Sequence, residues 1–282
     1  MRELTVLSWN LYHGRDAPPN AALRTLRSLL LRQDEHDDTH VQVNRPLRDE
    51  FAALIARAQW DICLLQEAPP SWDGALARAT GAASYVALTS RNSGAALRNR
   101  LAWWNPDLMG SWEGGSNITL VRPPWRIAGA PRSLLLNPLP GRRLRERRRM
   151  SFVRVQDAGR DLGVANLHLT AGAPREAERE AELAAVTALR WAGEATPLIV
   201  GGDFNLRPRA TPLFERLARK YGLAAPTSPQ GLDHVLTRGL EVIRPPAAWL
   251  PAGREVEVPV GLEVRRMRLS DHAPVEATYG VR

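Results

Sequence analysis

The chain has 282 residues, 44% of them hydrophobic and 24% charged, with a single cysteine and a formal net charge of +8. That length and composition exclude a disordered tail and a disulfide-stapled miniprotein, and Cys63 on its own excludes an intramolecular disulfide or a CxxC-type zinc site. No stretch approaches about 18 uninterrupted apolar residues, and the opening MRELTVLSWN lacks the basic and apolar regions of a secretory signal. The expectation is an intracellular, cytoplasmic protein with no membrane span.

Taken in chain order, Leu4–Trp9 is a short apolar, β-branched run and predicts a strand. Asn20 can cap a helix carrying Leu23, Leu26, Leu29 and Leu30 on one face. The polar stretch Asp34–His40 interrupts it and reads as a solvated loop, since its acids and histidines fit no metal-ligand spacing. Pro46 suits the first turn of a second helix, with Phe51, Leu54, Ile55 and Ala58 facing inward. Ile62–Leu65 is continuously apolar up to Gln66 and Glu67, as in a buried strand. Further strands are predicted at Ile118–Val121, Phe152–Val155, Leu162–Leu169, Leu198–Val200, His234–Leu236 and Val275–Tyr279, with helices at Arg175–Trp191 and Pro212–Tyr221. This alternation predicts an α/β sandwich, and no low-complexity linker divides residues 1–282 into more than one domain. A weak internal echo places an Asn-Leu pair, Asn10-Leu11 and Asn166-Leu167, at one strand end in each half and a carboxylate at the next.

Among the cationic side chains only Lys220 is lysine. Arginine keeps its charge at any working pH and grips phosphate oxygens with two parallel hydrogen bonds, so the excess favours a polyanionic ligand unless it reflects compositional drift. The densest run is Arg142, Arg143, Arg145, Arg147, Arg148 and Arg149, just before a predicted strand. It is either a solvated surface or an overhang above a site. The nine tryptophans invite base stacking, but Trp9 and Trp60 are better explained by core packing. No motif of a dedicated nucleic-acid-binding domain is present.

The informative residues are polar groups at the ends of buried strands, because an unpaired buried charge is very costly. Glu67, Asp203, Asp233 and Asp271 fit that description. Asn205, His234 and His272 accompany three of them, and Asn10 and His168 occupy further strand ends. So many positions in one chain look like a single site assembled from separated segments. Carboxylates with few histidines and no thiolates suit a hard cation, Mg2+ or Mn2+. An Asp–His pair supplies an oriented imidazole, a separate carboxylate can activate water, and neutral Asn can donate to phosphoryl oxygens. The chemistry suggested is hydrolysis at phosphorus.

The set SWNL, LLQE, NLHL, GGDFN, LDH and SDHAPV, in that order over residues 5–279, resembles the endonuclease/exonuclease/phosphatase superfamily. The resemblance implies the deoxyribonuclease-I-like fold, a four-layer α/β/β/α sandwich. It implies Glu67 as principal metal ligand with Asn10 and Asp271 beside it. Asp203 would align or deprotonate the attacking water, and Asn205 would hold a phosphoryl oxygen. Asp233 would orient His272 against the scissile phosphate, and His168 would be a second imidazole, a candidate general acid for the leaving group. The abasic-site repair branch carries an acid where this chain has Tyr12 and a tyrosine where it has His168, which points away from a repair role. Arg91, Asn117 and Arg149 are candidate substrate contacts. The expected activity is metal-dependent hydrolysis of a phosphodiester, as in a nuclease. The alternatives are action on a small-molecule or lipid phosphoester, and a catalytically silent phosphate-binding module. The expected partner is the phosphoester substrate, with nucleic acid among the candidates and no obligate protein partner evident.

Overall fold

The computed structural model describes residues 1–89, 95–137, 147–224 and 226–282, apart from the side chains of 95, 112 and 113. Its strands are β1 (Arg2–Asn10), β2 (Glu35–His36), β3 (Val41–Gln42), β4 (Ile62–Ala68), β5 (Ala83–Leu88), β6 (Ser116–Val121), β7 (Arg126–Leu135), β8 (Arg149–Asp157), β9 (Arg160–His168), β10 (Leu198–Asp203), β11 (Asp233–Arg238), β12 (Glu241–Ala248), β13 (Glu255–Val260), β14 (Glu263–Arg268) and β15 (Val275–Val281). The α-helices are α1 (Leu26–Leu31), α2 (Arg48–Arg57), α3 (Asp73–Thr80), α4 (Ala95–Trp104), α5 (Pro106–Glu113), α6 (Pro174–Ala192) and α7 (Leu213–Tyr221). One sheet has the order β12-β15-β1-β4-β6-β5 and the other β11-β10-β9-β8-β7, while β13-β14 and β2-β3 are hairpins.

Side chains alternate across a strand, and the buried apolar residues sort accordingly into three layers. Leu4 and Val6 of β1, Ile62 and Leu64 of β4, Leu162 and Val164 of β9 and Ile199 of β10 fill the space between the sheets. On the opposite face of the first sheet, Leu7, Trp9, Cys63 and Leu65 pack against Phe51, Leu54 and Ile55 of α2 and Leu76 of α3. On the far face of the second, Ala165, Leu167 and Val200 meet an alanine stripe of α6 and Leu213, Phe214 and Leu217 of α7. The architecture is therefore a four-layer α/β/β/α sandwich.

Followed along the chain, the inter-sheet face turns polar at one end of every central strand. Leu4 and Val6 give way to Ser8 and Asn10, Ile62 and Leu64 to Gln66, and Leu162 and Val164 to Asn166 and His168. The floor of that end is a hydrogen-bonded bridge between the sheets. Gln66 Nε2 donates to Asn166 Oδ1 (2.8 Å), and Asn166 Nδ2 donates to the carbonyls of Leu65 (3.1 Å) and Ile118 (3.0 Å). The sheets also approach closely here. A Cβ on Gly201 would lie 2.6 Å from Leu64 Cδ1 of the other sheet, whereas one on Gly202, at φ 136°, would lie 2.0 Å from the carbonyl oxygen of Leu167, its neighbour within the same sheet. The two glycines of GGDFN thus have separate steric reasons.

The internal echo has a topological counterpart, a parallel pair in each sheet, β1 with β4 and β9 with β10. The registers align Asn10 with Gln66 and His168 with Asp203, so the counterpart of Asn10 is His168 rather than Asn166. Several local expectations need correction. Asn20 caps only a 3-10 turn, Ala21–Leu23, and Thr25 caps α1 separately, so the two caps start two short helical segments instead of one. Leu23 is buried, but Leu26 and Leu30 are exposed. Asp34–His40 is not simply a solvated loop. Asp37 accepts the backbone N–H groups of Thr39 and His40, closing the β2-β3 hairpin, and the Arg266 N–H of β14 donates to the Thr39 carbonyl. Strands β5, β7, β12 and β14 and helices α3 to α5 carry no strong periodic signal, whereas β13 alternates as EVEVPV, with Val256, Val258 and Val260 against the core, and is not among the predicted strands. In β12 two prolines interrupt the pattern, which an edge strand paired only with β15 tolerates. Among the described residues no helix is long and apolar enough to cross a membrane.

Part of the arginine excess is structural. Arg122 donates to the carbonyls of Ile55, Ala56 and Ala58 where α2 ends, and Arg238 donates to those of Gly193, Glu194 and Thr196 after α6. These guanidiniums satisfy the orphan carbonyls of helix ends and are not available to a phosphate.

Candidate active site

The polar end of the sandwich gathers the strand-end residues. In the second sheet His168, Asp203 and Asp233 are neighbours across β9, β10 and β11, with Asp203 opposite both of the others. The first sheet contributes Asn10 from the end of β1 and Glu67 from β4. Alternation alone would send Glu67 to the helix-covered face. A bulge between Leu65 and Ala68, with Glu67 at φ 46°, turns it back.

The contacts converge on one carboxylate oxygen. Asn10 Nδ2 donates to Asp203 Oδ2 (3.0 Å), His168 Nε2 lies 3.4 Å from the same oxygen, and His272 Nε2 lies 3.9 Å from it. His272 Nδ1 is 2.7 Å from Asp233 Oδ2. Glu67 lies beyond His168, with Oε1 3.7 Å from His168 Nε2 and Oε2 3.4 Å from His13 Nε2. Asp203 Oδ1 accepts the Asn205 N–H (2.9 Å), and one Asn205 amide hydrogen goes to the Leu169 carbonyl (3.0 Å). The second hydrogen of that amide remains for a ligand.

The segment bearing Asp271 and His272 is pinned rather than loose. Ser270 Oγ donates to the Asn10 carbonyl (2.6 Å) and accepts the His272 N–H (3.0 Å). One Arg254 nitrogen donates to the carbonyls of Ser270 (2.6 Å) and His272 (2.7 Å), and Trp9 Nε1 also reaches the His272 carbonyl (2.9 Å).

Burial sets the electrostatics. Desolvation, reinforced by the Asp233 charge, pushes the Asp203 carboxyl up to about 7. Desolvation also raises Glu67, against the opposing charge of Arg148. His168 is held well below the ordinary imidazole value by burial and by the Arg148 charge, so it is neutral. For His272 burial works downward, but the charge and hydrogen bond of Asp233 outweigh it and push the imidazole up to about 10. His272 is therefore an imidazolium at neutral pH.

Two groups of side chains could be considered for a cation. Asp203, Asp233 and His272 have potential ligand atoms within 4.8 Å of one another. A protonated imidazole has no lone pair to give, so this trio is better suited to handling protons. Glu67 fits a hard cation. Its carboxyl is desolvated and weakly neutralised, Asp271 is near enough for its charge to raise it further, and Asn10 Oδ1 keeps a lone pair beyond the one used by the Tyr12 N–H (2.9 Å).

Other predicted residues fall elsewhere. Arg91, Arg142, Arg143 and Arg145 lie outside the described residues. Arg149 reaches Ser133 Oγ (2.9 Å) on an exposed contact, and its neighbour Arg148 is the arginine brought against the His168 ring nitrogens (2.9 and 2.7 Å). Asn117 is buried between the sheets, donating to the Arg149 carbonyl (2.7 Å), and so braces the fold instead of facing a substrate. His234 is a core histidine, packed on Phe204 and Phe214 with Nε2 3.0 Å from the Leu206 carbonyl. Sequence reasoning misses Arg254 as a site neighbour, marks Arg148 only as one member of the arginine run, and leaves His13, close to Asn10, between loop packing and a site role. A backbone signal marks the region: Tyr12, His13, Glu67, Asn205 and Ser270, five of the seven non-glycine residues with positive φ among the described residues, lie around it.

The fold is similar to that of solved structures of low sequence identity. One is an endonuclease/exonuclease/phosphatase family protein from Bacteroides thetaiotaomicron, at 16% identity and TM-score 0.66, covering 99% of this chain and 97% of that one. Another is the mannosyl-6-phosphatase Bt3783 of Bacteroides thetaiotaomicron VPI-5482, at 16% identity and TM-score 0.65, covering 98% and 99%. A third is the human Nocturnin catalytic domain with bound sulfate anion, at 16% identity and TM-score 0.63, covering 99% and 95%. No curated protein matches the sequence. Residues 7–272 match the Endonuclease/Exonuclease/phosphatase family, and the chain belongs to that family, whose members generally hydrolyse phosphoester bonds.

Proposed function

We propose that this protein is a metal-dependent phosphoesterase that hydrolyses phosphodiesters by attack of an activated water. The observation that carries the reading is the convergence of Asn10, His168 and the Asp233-held His272 on Asp203 Oδ2. Glu67, Asn10 and Asp271 would hold a divalent cation, Mg2+ or Mn2+, which when bound neutralises phosphate charge and stabilises the leaving oxygen. The remaining chemistry belongs to the chain. With its carboxyl pushed up to about 7, Asp203 is suited to take a proton from water near neutral pH. The His272 imidazolium donates from Nε2 to a phosphoryl oxygen, while Asp233 fixes its ring and charge. Asn205 donates its second amide hydrogen to the same group. His168, being neutral, is not the general acid, and Arg148, 2.7 Å from its Nε2, holds the ring in place with a fixed positive charge.

The test is purified protein assayed on bis(p-nitrophenyl) phosphate with Mg2+ or Mn2+, beside plasmid DNA, RNA, phospholipid and inositol phosphates. Hydrolysis that EDTA abolishes is expected. Full activity in Asp203→Ala or His272→Ala would refute the assigned roles.

A further inference from the structure

A cleft of about 260 Å³ opens beside the site, lined by Arg15, Arg24, Ser28, Leu29 and Asp107 among others. It shares its wall with the site, because the segment running from Asn10 to Asp16 serves both. The Tyr12 N–H donates to Asn10 Oδ1 (2.9 Å), Arg15 Nε donates to the Tyr12 carbonyl (3.2 Å), and the Ser270 N–H donates to the Arg15 carbonyl (3.0 Å). Arg15 also lies near enough to Glu67 for its charge to lower that carboxyl's pKa.

The two guanidiniums are fixed around one ring. Arg15 lies 3.9 Å from the Tyr12 ring centroid and Arg24 lies 5.2 Å from it, with one Arg24 nitrogen donating to Tyr12 Oη (3.1 Å) and another to the Asp16 carbonyl (2.7 Å). Among the described residues neither guanidinium forms an ion pair, and the terminal nitrogens of Arg15 have no hydrogen-bond partner. Holding two like charges together with no anion in direct contact is unfavourable and is the arrangement that recognises one. The acids nearby feel both charges, Asp107 that of Arg15 and Arg24 and Asp16 that of Arg24, but neither makes a contact ion pair with them. Asp16 is buried and pushed up to about 8 by desolvation, and Asp107, raised by burial, already accepts from Gln42 Nε2 (2.6 Å). Asp107 leaves the cleft with an acceptor suited to a hydroxyl.

We infer that this cleft is the subsite for the group esterified to the scissile phosphate, and that this group is compact, hydroxylated and carries its own anionic substituent, a phosphate or carboxylate held by Arg15 and Arg24. The inference rests on the phosphoesterase reading and narrows its substrate. The size agrees, since ligand pockets for drug-sized molecules begin near 300 Å³ and this one suits a sugar-sized group.

The experiment compares inhibition of bis(p-nitrophenyl) phosphate hydrolysis by glucose 1,6-bisphosphate, glucuronic acid 1-phosphate and glucose 1-phosphate. The two probes with a second anionic group are expected to inhibit at least tenfold more strongly than glucose 1-phosphate in the wild type. That ratio should collapse towards one in Arg15→Gln and Arg24→Gln and persist in Arg27→Gln, an exposed neighbour that does not line the cleft. Equal inhibition by all three probes in the wild type, or an unchanged ratio in both cleft variants, would overturn the inference. Calorimetric titration of the metal-free protein with the same probes reads the ratio without turnover. A chain that binds with the expected ratio but hydrolyses nothing sinks the phosphoesterase reading alone.

Discussion

The pairing of Asp233 with His272 offers the most incisive perturbation. Asp233→Asn keeps the size of the side chain and an acceptor for His272 Nδ1, and removes only the charge. In the wild type the imidazole is pushed up to about 10, and the Asp233 charge and hydrogen bond are the leading upward influences. Without them, burial acts against the weaker pull of Asp203 and Asp271, and the value should fall to the ordinary imidazole range near 6.5 or below. The difference corresponds to about 5 kcal/mol as an upper bound, at the top of the range for breaking a buried ion pair. At pH 8 the wild-type ring is then about 99% protonated and the variant ring about 3%. If the imidazolium is the working form, kcat/KM on bis(p-nitrophenyl) phosphate should drop by roughly thirtyfold at pH 8, and a large part of the loss should be recovered near pH 6. The assay is kcat/KM from pH 5.5 to 9.5 for both proteins, with nitrogen NMR of the His272 ring in metal-free protein. A variant profile that merely parallels the wild type, or a neutral wild-type ring at pH 8, would refute the reasoning.

Asp203→Asn is expected to lower kcat by about 10²–10⁴ with little change in KM. Because the folded-state value of Asp203 is raised from 3.8 to about 7, its contribution to stability is lost as pH rises through that interval, so thermal melts of the metal-free variant should depend less on pH between about 4 and 7. Asp16 is raised further, to about 8, and Asp16→Asn should flatten the loss of stability that melts show as pH rises through 8. Arg254→Met keeps an apolar stem but removes the clamp on the Ser270 and His272 carbonyls. It should reduce kcat tenfold or more while leaving KM nearly unchanged, a split that a purely structural arginine would not give. Mg2+ or Mn2+ should raise the Tm of the wild type, and Glu67→Gln should abolish that rise.

The strand-end polar residues were legible because burial makes them expensive and alternation places them on one face. Asn10, His168, Asp203 and Asp233 follow from that logic directly. Glu67 does not, because only a bulge in β4 brings it inward, and a bulge leaves no mark in periodicity. The arginine run announced a cation but not which one. Arg148 and Arg149 are adjacent and chemically identical, and their different destinations depend on how the chain enters β8. Helix α1 was misjudged for a similar reason, since two good caps five residues apart compete and periodicity does not rank them. The β5 and β12 strands are held by their neighbours in the sheet, which is tertiary context that local propensity does not encode.

The place of β15 in the first sheet has a consequence for the order in which activity arises. This strand fills the slot between β12 and β1, and Asp271 and His272 immediately precede it. Its Tyr279 hydroxyl reaches across the sheets to the Val235 carbonyl (3.1 Å). A chain emerging from the ribosome has already made Glu67, His168, Asp203 and Asp233 before His272, which the proposed mechanism sets beside them. Its opening and closing strands must pair across almost the full length of the chain before those groups meet, a contact that is slow to form. On the proposed roles, a copy cut short before residue 270 would lack both Asp271 and His272 and would be silent however well its remaining layers pack.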